Sequence, residues 1–153
     1  MRLHHSVMNT FAGLSVVCLA LASGAAVAQQ QVSVRGEKVN LRAAPSTSSE
    51  VVWQLGSGYP LKVIDRKGGW LKVVDFENDR GWVSRRLTST TPHVIVKSPV
   101  ANVRSGPGTG HRVLRKASYG DVFRVLEKRK SWVHVRGEDA RKGWIAKSLV
   151  WGG

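Results

Sequence analysis

Setting residue i against residue i+62 aligns residues 32–87 with 94–149 without a gap, and this duplication constrains the fold more than any other feature of the sequence. Fourteen of the 56 aligned positions are identical: Val32/Val94, Val34/Val96, Asn40/Asn102, Arg42/Arg104, Pro45/Pro107, Thr47/Thr109, Val51/Val113, Gly58/Gly120, Val63/Val125, Trp70/Trp132, Val73/Val135, Gly81/Gly143, Trp82/Trp144 and Leu87/Leu149. The recurring types are turn formers, β-branched residues and Trp. One small fold is therefore used twice. The polar junction Thr88 to Pro92 has only five residues, so the two units are expected to touch rather than swing freely.

Within each unit the hydrophobic period is two rather than 3.6. Leu61-Lys62-Val63 and Phe123-Arg124-Val125 alternate, as do Trp70-Leu71-Lys72-Val73 and Trp132-Val133-His134-Val135. The breaks carry turn chemistry: Gly56-Ser57-Gly58, Lys67-Gly68-Gly69, Asn78-Asp79-Arg80-Gly81 and Gly106-Pro107-Gly108-Thr109-Gly110. Hydrophobic residues make up 42% of the chain, too many for wholesale disorder. The pattern predicts an all-β protein of two tandem small barrels, about five short strands each, with closure hiding the edges.

Residues 1–28 read as a secretory signal. Arg2 and two His precede an apolar run from Phe11 to Ala22, and the small-residue triplet Ala26-Val27-Ala28 follows, so cleavage is expected before Gln29. The run is short for a bilayer span and nothing like it recurs, which predicts no stable membrane insertion after processing. Cleavage removes Cys18, the only cysteine. The mature chain then has neither disulfides nor thiol chemistry, and it divides into units at 29–90 and 91–153.

The series Val39-Asn40-Leu41-Arg42 with Pro45, Val51 to Gly58, Gly69-Trp70-Leu71-Lys72-Val73 and Gly81-Trp82-Val83 resembles the bacterial SH3 domain family, SH3b. In the second unit, Asn102-Val103-Arg104-Ser105-Gly106-Pro107-Gly108-Thr109 is similar to that family's N-x-R-x-G-P-G-T opening. The first unit departs from it, with Ala44 and Ser46 in place of the glycines. The resemblance implies two tandem SH3-like β-barrels. It implies a targeting or binding role on an exported protein, often toward the cell wall, without fixing the ligand.

Catalytic and cofactor chemistry finds little support. The glycine-rich loop Gly106 to Gly110 leads into strand-like Val113-Leu114, so the helix N-terminus a phosphate cradle needs is missing. Asp75, Glu77 and Asp79 alternate like the start of a calcium loop, but Arg86 stands at the twelfth position, where the closing acid belongs. His93, His111 and His134 lack zinc-ligand spacing. No nucleophile elbow is present, and the chain leaves no room for the separate catalytic domain of wall hydrolases that carry such units. A non-enzymatic protein with no cofactor and no metal is expected.

What remains is surface. The formal charge is +14, and it is unevenly shared: residues 29–90 carry ten bases and six acids, net +4, whereas 91–153 carry thirteen bases and four acids, net +9. The second unit therefore reads as the better anion binder. Its bases cluster at Arg112 to Lys116, which includes Arg115, at Lys128-Arg129-Lys130 and at Arg141-Lys142. Alternation sends Trp70 and Trp132 outward beside Lys72 and His134, making them candidate stacking platforms; a cap on the barrel end is the competing role. Trp82 and Trp144 read as packing residues. Trp53 and Tyr59 have Arg115 and Asp121 as partners in the other unit, so the fold does not demand them and they are candidates for a unit-specific surface. Basic charge with Trp also describes nucleic-acid binders, but export argues against that role. The expected partner of this periplasmic or extracellular protein is peptidoglycan or, alternatively, an acidic segment of an envelope protein.

Overall fold

The computed structural model describes residues 29–153, and the export signal read at residues 1–28 lies outside them. Each period-two segment is a strand. The first unit runs β1 (Gln31–Val34), β2 (Val39–Arg42), β3 (Val51–Leu55), β4 (Pro60–Lys67), β5 (Trp70–Val74), β6 (Arg80–Ser84), a 3-10 turn (Arg85–Leu87) and β7 (Thr88–Ser89). The second repeats it as β8 (His93–Val96), β9 (Val100–Arg104), β10 (Val113–Ser118), β11 (Val122–Arg129), β12 (Trp132–Arg136), β13 (Lys142–Ala146), a 3-10 turn (Lys147–Leu149) and β14 (Val150–Gly152). Apart from the two 3-10 turns, no helix occurs among the described residues, and none there is long and apolar enough to cross a membrane.

The inward positions of every long strand meet in one cluster per unit. Val32, Val39, Leu41, Leu55, Leu61, Leu71, Val73 and Val83 belong to the first, and Val94, Val103, Ala117, Phe123, Val133, Val135 and Ile145 to the second. A single sheet can bring all its inner residues together only by curling onto itself. Repeat-matched bulges supply the bend. Val63 faces Val73 but Asp65 faces Lys72, so Ile64 is the extra residue; in the second unit Leu126 takes its place between Val125 and Glu127. The same happens at Val52 and Leu114 on the strands paired with β2 and β9. A bulge sharpens local twist and turns its extra side chain out of the pleat, and Val52, Ile64, Leu114 and Leu126 are accordingly exposed.

Two details of the expectation change. Each unit has seven strands rather than five, because the chain beyond the 3-10 turn adds a short return strand to β1 or β8, and β1 and β8 themselves are distinct strands. The sheets are all-β and SH3-like, but the ladder does not close: the orders are β3-β2-β6-β5-β4-β1-β7 and β10-β9-β13-β12-β11-β8-β14. The returning strand spends its pairing on β1, which leaves β3 and β10 as edges. The junction between β2 and β6 rests on a single register pair, Arg42 with Trp82.

The units touch, as the short junction predicts. Ser33 Oγ donates to the Thr91 carbonyl at 2.5 Å, and His93 Nδ1 lies 3.0 Å from both of those oxygens. Across a second contact, Phe76 packs between Tyr59 and Tyr119, with ring centroids at 6.2 and 5.3 Å, and the Tyr119 hydroxyl donates to Glu77.

Candidate ligand-binding site

Trp70 opens β5 on the outer face, half-buried, while Leu71 and Val73 point into the core. A groove of ≈ 490 Å³ runs beside it. The β2 strand brings Asn40 and Arg42 to this groove, the following loop brings Thr47, and the 3-10 turn brings Arg85 and Arg86. Lys38 completes a lining that has four bases and no acid. Local hydrogen bonds hold these parts in place. Arg42 Nη1 donates to the Ser49 carbonyl at 2.7 Å, tying the loop to β2, and the Arg85 amide donates to the Gly69 carbonyl at 2.8 Å, tying the 3-10 turn to the β4–β5 hairpin. Arg104 does the same for the second unit through the Thr109 and His111 carbonyls, and Lys147 through Ser131.

The groove's parts are the residues the duplication preserves: Asn40/Asn102, Arg42/Arg104, Thr47/Thr109 and Trp70/Trp132, with Arg85 matched by Lys147. Lys38 and Arg86, however, are matched by Val100 and Ser148. At these positions the first unit has four bases and the second two, the reverse of their net charges. Charge counted over a whole unit does not locate charge at a site. The repeat identities at Asn40, Arg42 and Thr47 contained the signal for this groove, but nothing in the sequence connects them to Trp70.

The other candidate residues are dispersed. Arg129 pairs in register with Trp132, and Lys130 follows it at the hairpin tip, so these bases do flank the second-unit Trp. Arg129 is also engaged, with Nε 2.6 Å from Glu127 Oε1 and its guanidinium 5.5 Å over Trp144. Lys128 donates to the Gly153 carbonyl. Trp53 is 54% exposed on the edge strand β3, apart from the groove's lining. Its counterpart Arg115 lies on β10 in register with Val103. Tyr59 is half-buried against the first core, and its hydroxyl donates to Asp75 Oδ2 at 3.0 Å. Burial and the adjacent Asp75 carboxylate push the Tyr59 phenol far above its ordinary range.

Trp82 and Trp144 pack, but on the outside of the sheet. Lys72, their first-unit cover, stands 5.9 Å over Trp82, whereas His134 stacks on Trp144 at 4.6 Å and 10°. The carboxylates of Asp75, Glu77 and Asp79 come within 4.8 Å of one another, close enough to hold a cation. Asp75 is already occupied by protein donors, however: Oδ1 accepts the Glu77 and Asp79 amides at 2.9 Å and Oδ2 the Tyr59 hydroxyl. That pattern holds a hairpin turn, and the second unit lacks it, with Gly137 and Arg141 at the outer two positions.

The family model described as bacterial SH3 domain matches residues 37–89 and 99–150, both units in turn. The chain belongs to the bacterial SH3 domain family. A Bacillus subtilis protein named "Putative N-acetylmuramoyl-L-alanine amidase YrvJ" is 23% identical over 142 residues, a match that covers 86% of this bacterial SH3 chain and 27% of the relative. This pair of bacterial SH3 units therefore spans about a quarter of that relative's length. Among solved structures, it is similar to NlpC1 from Trichomonas vaginalis, with 15% identity, TM-score 0.38, and coverage of 90% of this chain and 50% of that one. It is also similar to an NlpC/P60 family protein from Bacillus cereus, with 18% identity, TM-score 0.38, and coverage of 80% and 56%.

Proposed function

We propose that this protein is an exported, non-catalytic module that binds peptidoglycan in the cell envelope, with the Trp70 groove as its principal site and the Trp132 face as a second, weaker one. The observation that carries the reading is the convergence of Trp70 with Lys38, Arg42, Arg85 and Arg86 in one groove without an acid in its lining. An indole offers a flat apolar face for a sugar or an aliphatic stem, and the surrounding guanidinium and ammonium groups hold carboxylates of the wall peptides. The amidase name of the Bacillus subtilis relative supports the same class of polymer. Shallow, open recognition of this kind is weak at one site. Two units on one chain engaging neighbouring repeats of a polymer convert the second contact into an intramolecular one.

Co-sedimentation with protein-free sacculi tests the proposal. The mature chain should pellet with sacculi, and Trp70→Ala should weaken binding by about 1–3 kcal/mol if stacking matches aromatic–base stacking in strength. The variant's β-rich circular dichroism serves as the folding control. Retention only when envelope proteins are left on the sacculi would replace peptidoglycan with an acidic protein partner.

A further inference from the structure

The two units differ sharply at three neighbouring positions. Where the first has Trp53, Tyr59 and Asp75, the second has Arg115, Asp121 and Gly137. In the first unit the Tyr59 hydroxyl and two backbone amides use up Asp75. In the second, Arg115 fills the space left by the missing side chain: a Cβ at Gly137 would stand 2.6 Å from Arg115 Nη2. The guanidinium lies 5.2 Å over the Phe123 ring. Its Nη1 is 3.6 Å from Asp139 Oδ2, beyond hydrogen-bond reach, and Asp139 is shared with Arg141 at the same distance. Nη2 is buried without a hydrogen-bond partner. A guanidinium carries five N–H donors, and leaving charged donors unpaired is costly, so this Arg is held in place by packing with its binding capacity unspent.

It lies along a groove of ≈ 510 Å³ between the units, with Ser57 and Tyr59 on one wall and Arg115, Phe123 and Glu138 on the other. The rim is acidic, since Asp121, Glu138 and Asp139 also face the groove. A plain anion drawn to Arg115 would meet three carboxylates, and a plain cation drawn to those would meet Arg115. A head group that carries both charges satisfies both. We propose that the groove between the units binds the zwitterionic head of an α-amino acid, its carboxylate on Arg115 and its ammonium against the acidic rim at Glu138. The incoming carboxylate takes over from the loosely held Asp139, and a small turn of the guanidinium frees Nη2 for a two-point bond. The size of the groove leaves room for a larger molecule of which that head is one end. The first unit has no equivalent, because Trp53 stands where the second has Arg115 and the Asp75 side chain occupies the position that Gly137 leaves open.

The test is an NMR titration of the whole mature chain with alanine, alaninamide and N-acetylalanine. Alanine should shift the Gly137 and Phe123 resonances saturably, and each of the other two should bind at least about tenfold more weakly, one for loss of the carboxylate and one for loss of the ammonium. Gly137→Ala, which pushes against the guanidinium rather than removing it, should weaken alanine binding. Arg115→Lys should also weaken it, since it keeps the charge without the fork. Circular dichroism establishes that both variants fold. The proposal fails if alanine gives no saturable shift, if blocking either charge leaves affinity unchanged, or if both folded variants bind as wild type does. Trp70 lies outside this groove's lining, so failure here and failure of wall binding are separate results.

Discussion

Lys130 stands where the first unit has Gly68, and both adopt left-handed backbone, with φ of +44° and +56°. The same pairing recurs one hairpin later, Ala140 at +62° matching Asn78 at +69°. An L side chain in this region costs about 1–2 kcal/mol, which Asn offsets in part by local hydrogen bonding. Ala140→Asn should therefore stabilise the protein by about 1 kcal/mol in a denaturant titration; no change in the midpoint would mean the turn relaxes around Ala. Lys130→Gly should be closer to neutral, because the strain it relieves is offset by about 0.5–1 kcal/mol from the freer unfolded chain. That near-neutrality makes it a clean probe of the candidate base at the Trp132 face, since any loss of binding would not be a loss of fold. The first-unit copies of both hairpins read as turns in the sequence, but turn residues alone do not say which position takes the positive φ.

At the scale of elements, Gly81 and Gly143 open the way for β6 and β13 to lie against β2 and β9. A Cβ at Gly81 would stand 2.6 Å from Leu41 Cγ and 3.0 Å from the Arg42 carbonyl oxygen. Gly81→Ala should cost about 1–3 kcal/mol, as overpacking does, measurable as a lowered unfolding midpoint. It should also weaken wall binding, because Arg42 belongs to the Trp70 groove; unchanged stability would show that β2 can yield. Most of this architecture was legible in the repeat. The strands followed the alternation of Leu61 to Val63 and Trp70 to Val73, and the all-β class with it. The bulges were not, because an extra residue such as Ile64 interrupts the alternation without naming its partner. Nor was the open edge at β3, since whether β7 pairs with β1 or with β3 depends on how far the sheet has curled. The groove's Asn40, Arg42 and Thr47 were present as identities, but only the fold brings β2, its loop and the 3-10 turn to one Trp.

For the molecule as a whole, the contact between units should respond to pH through His93. Burial holds its imidazole below the ordinary value near 6.5, opposed by the bond to the Thr91 carbonyl and reinforced by Arg124, its register partner on β11. The unfolded chain thus takes up a proton at a pH where the folded one does not. Stability is complete above about pH 6.5 and falls as the pH drops below it, levelling off only below the lowered folded value. Unfolding free energies between pH 8 and 5 should show this slope in the wild type and a shallower one in His93→Asn; parallel slopes would mean His93 titrates freely in the folded protein. Peptidoglycan binding in the Trp70 groove can be read from the indole N–H resonances as soluble peptidoglycan fragments are added to the mature chain. Trp70 should shift saturably and further than Trp132, with Trp53 unmoved. A response led by Trp53, or an unmoved Trp70 under saturating fragments, would rule out the groove as the wall-binding site.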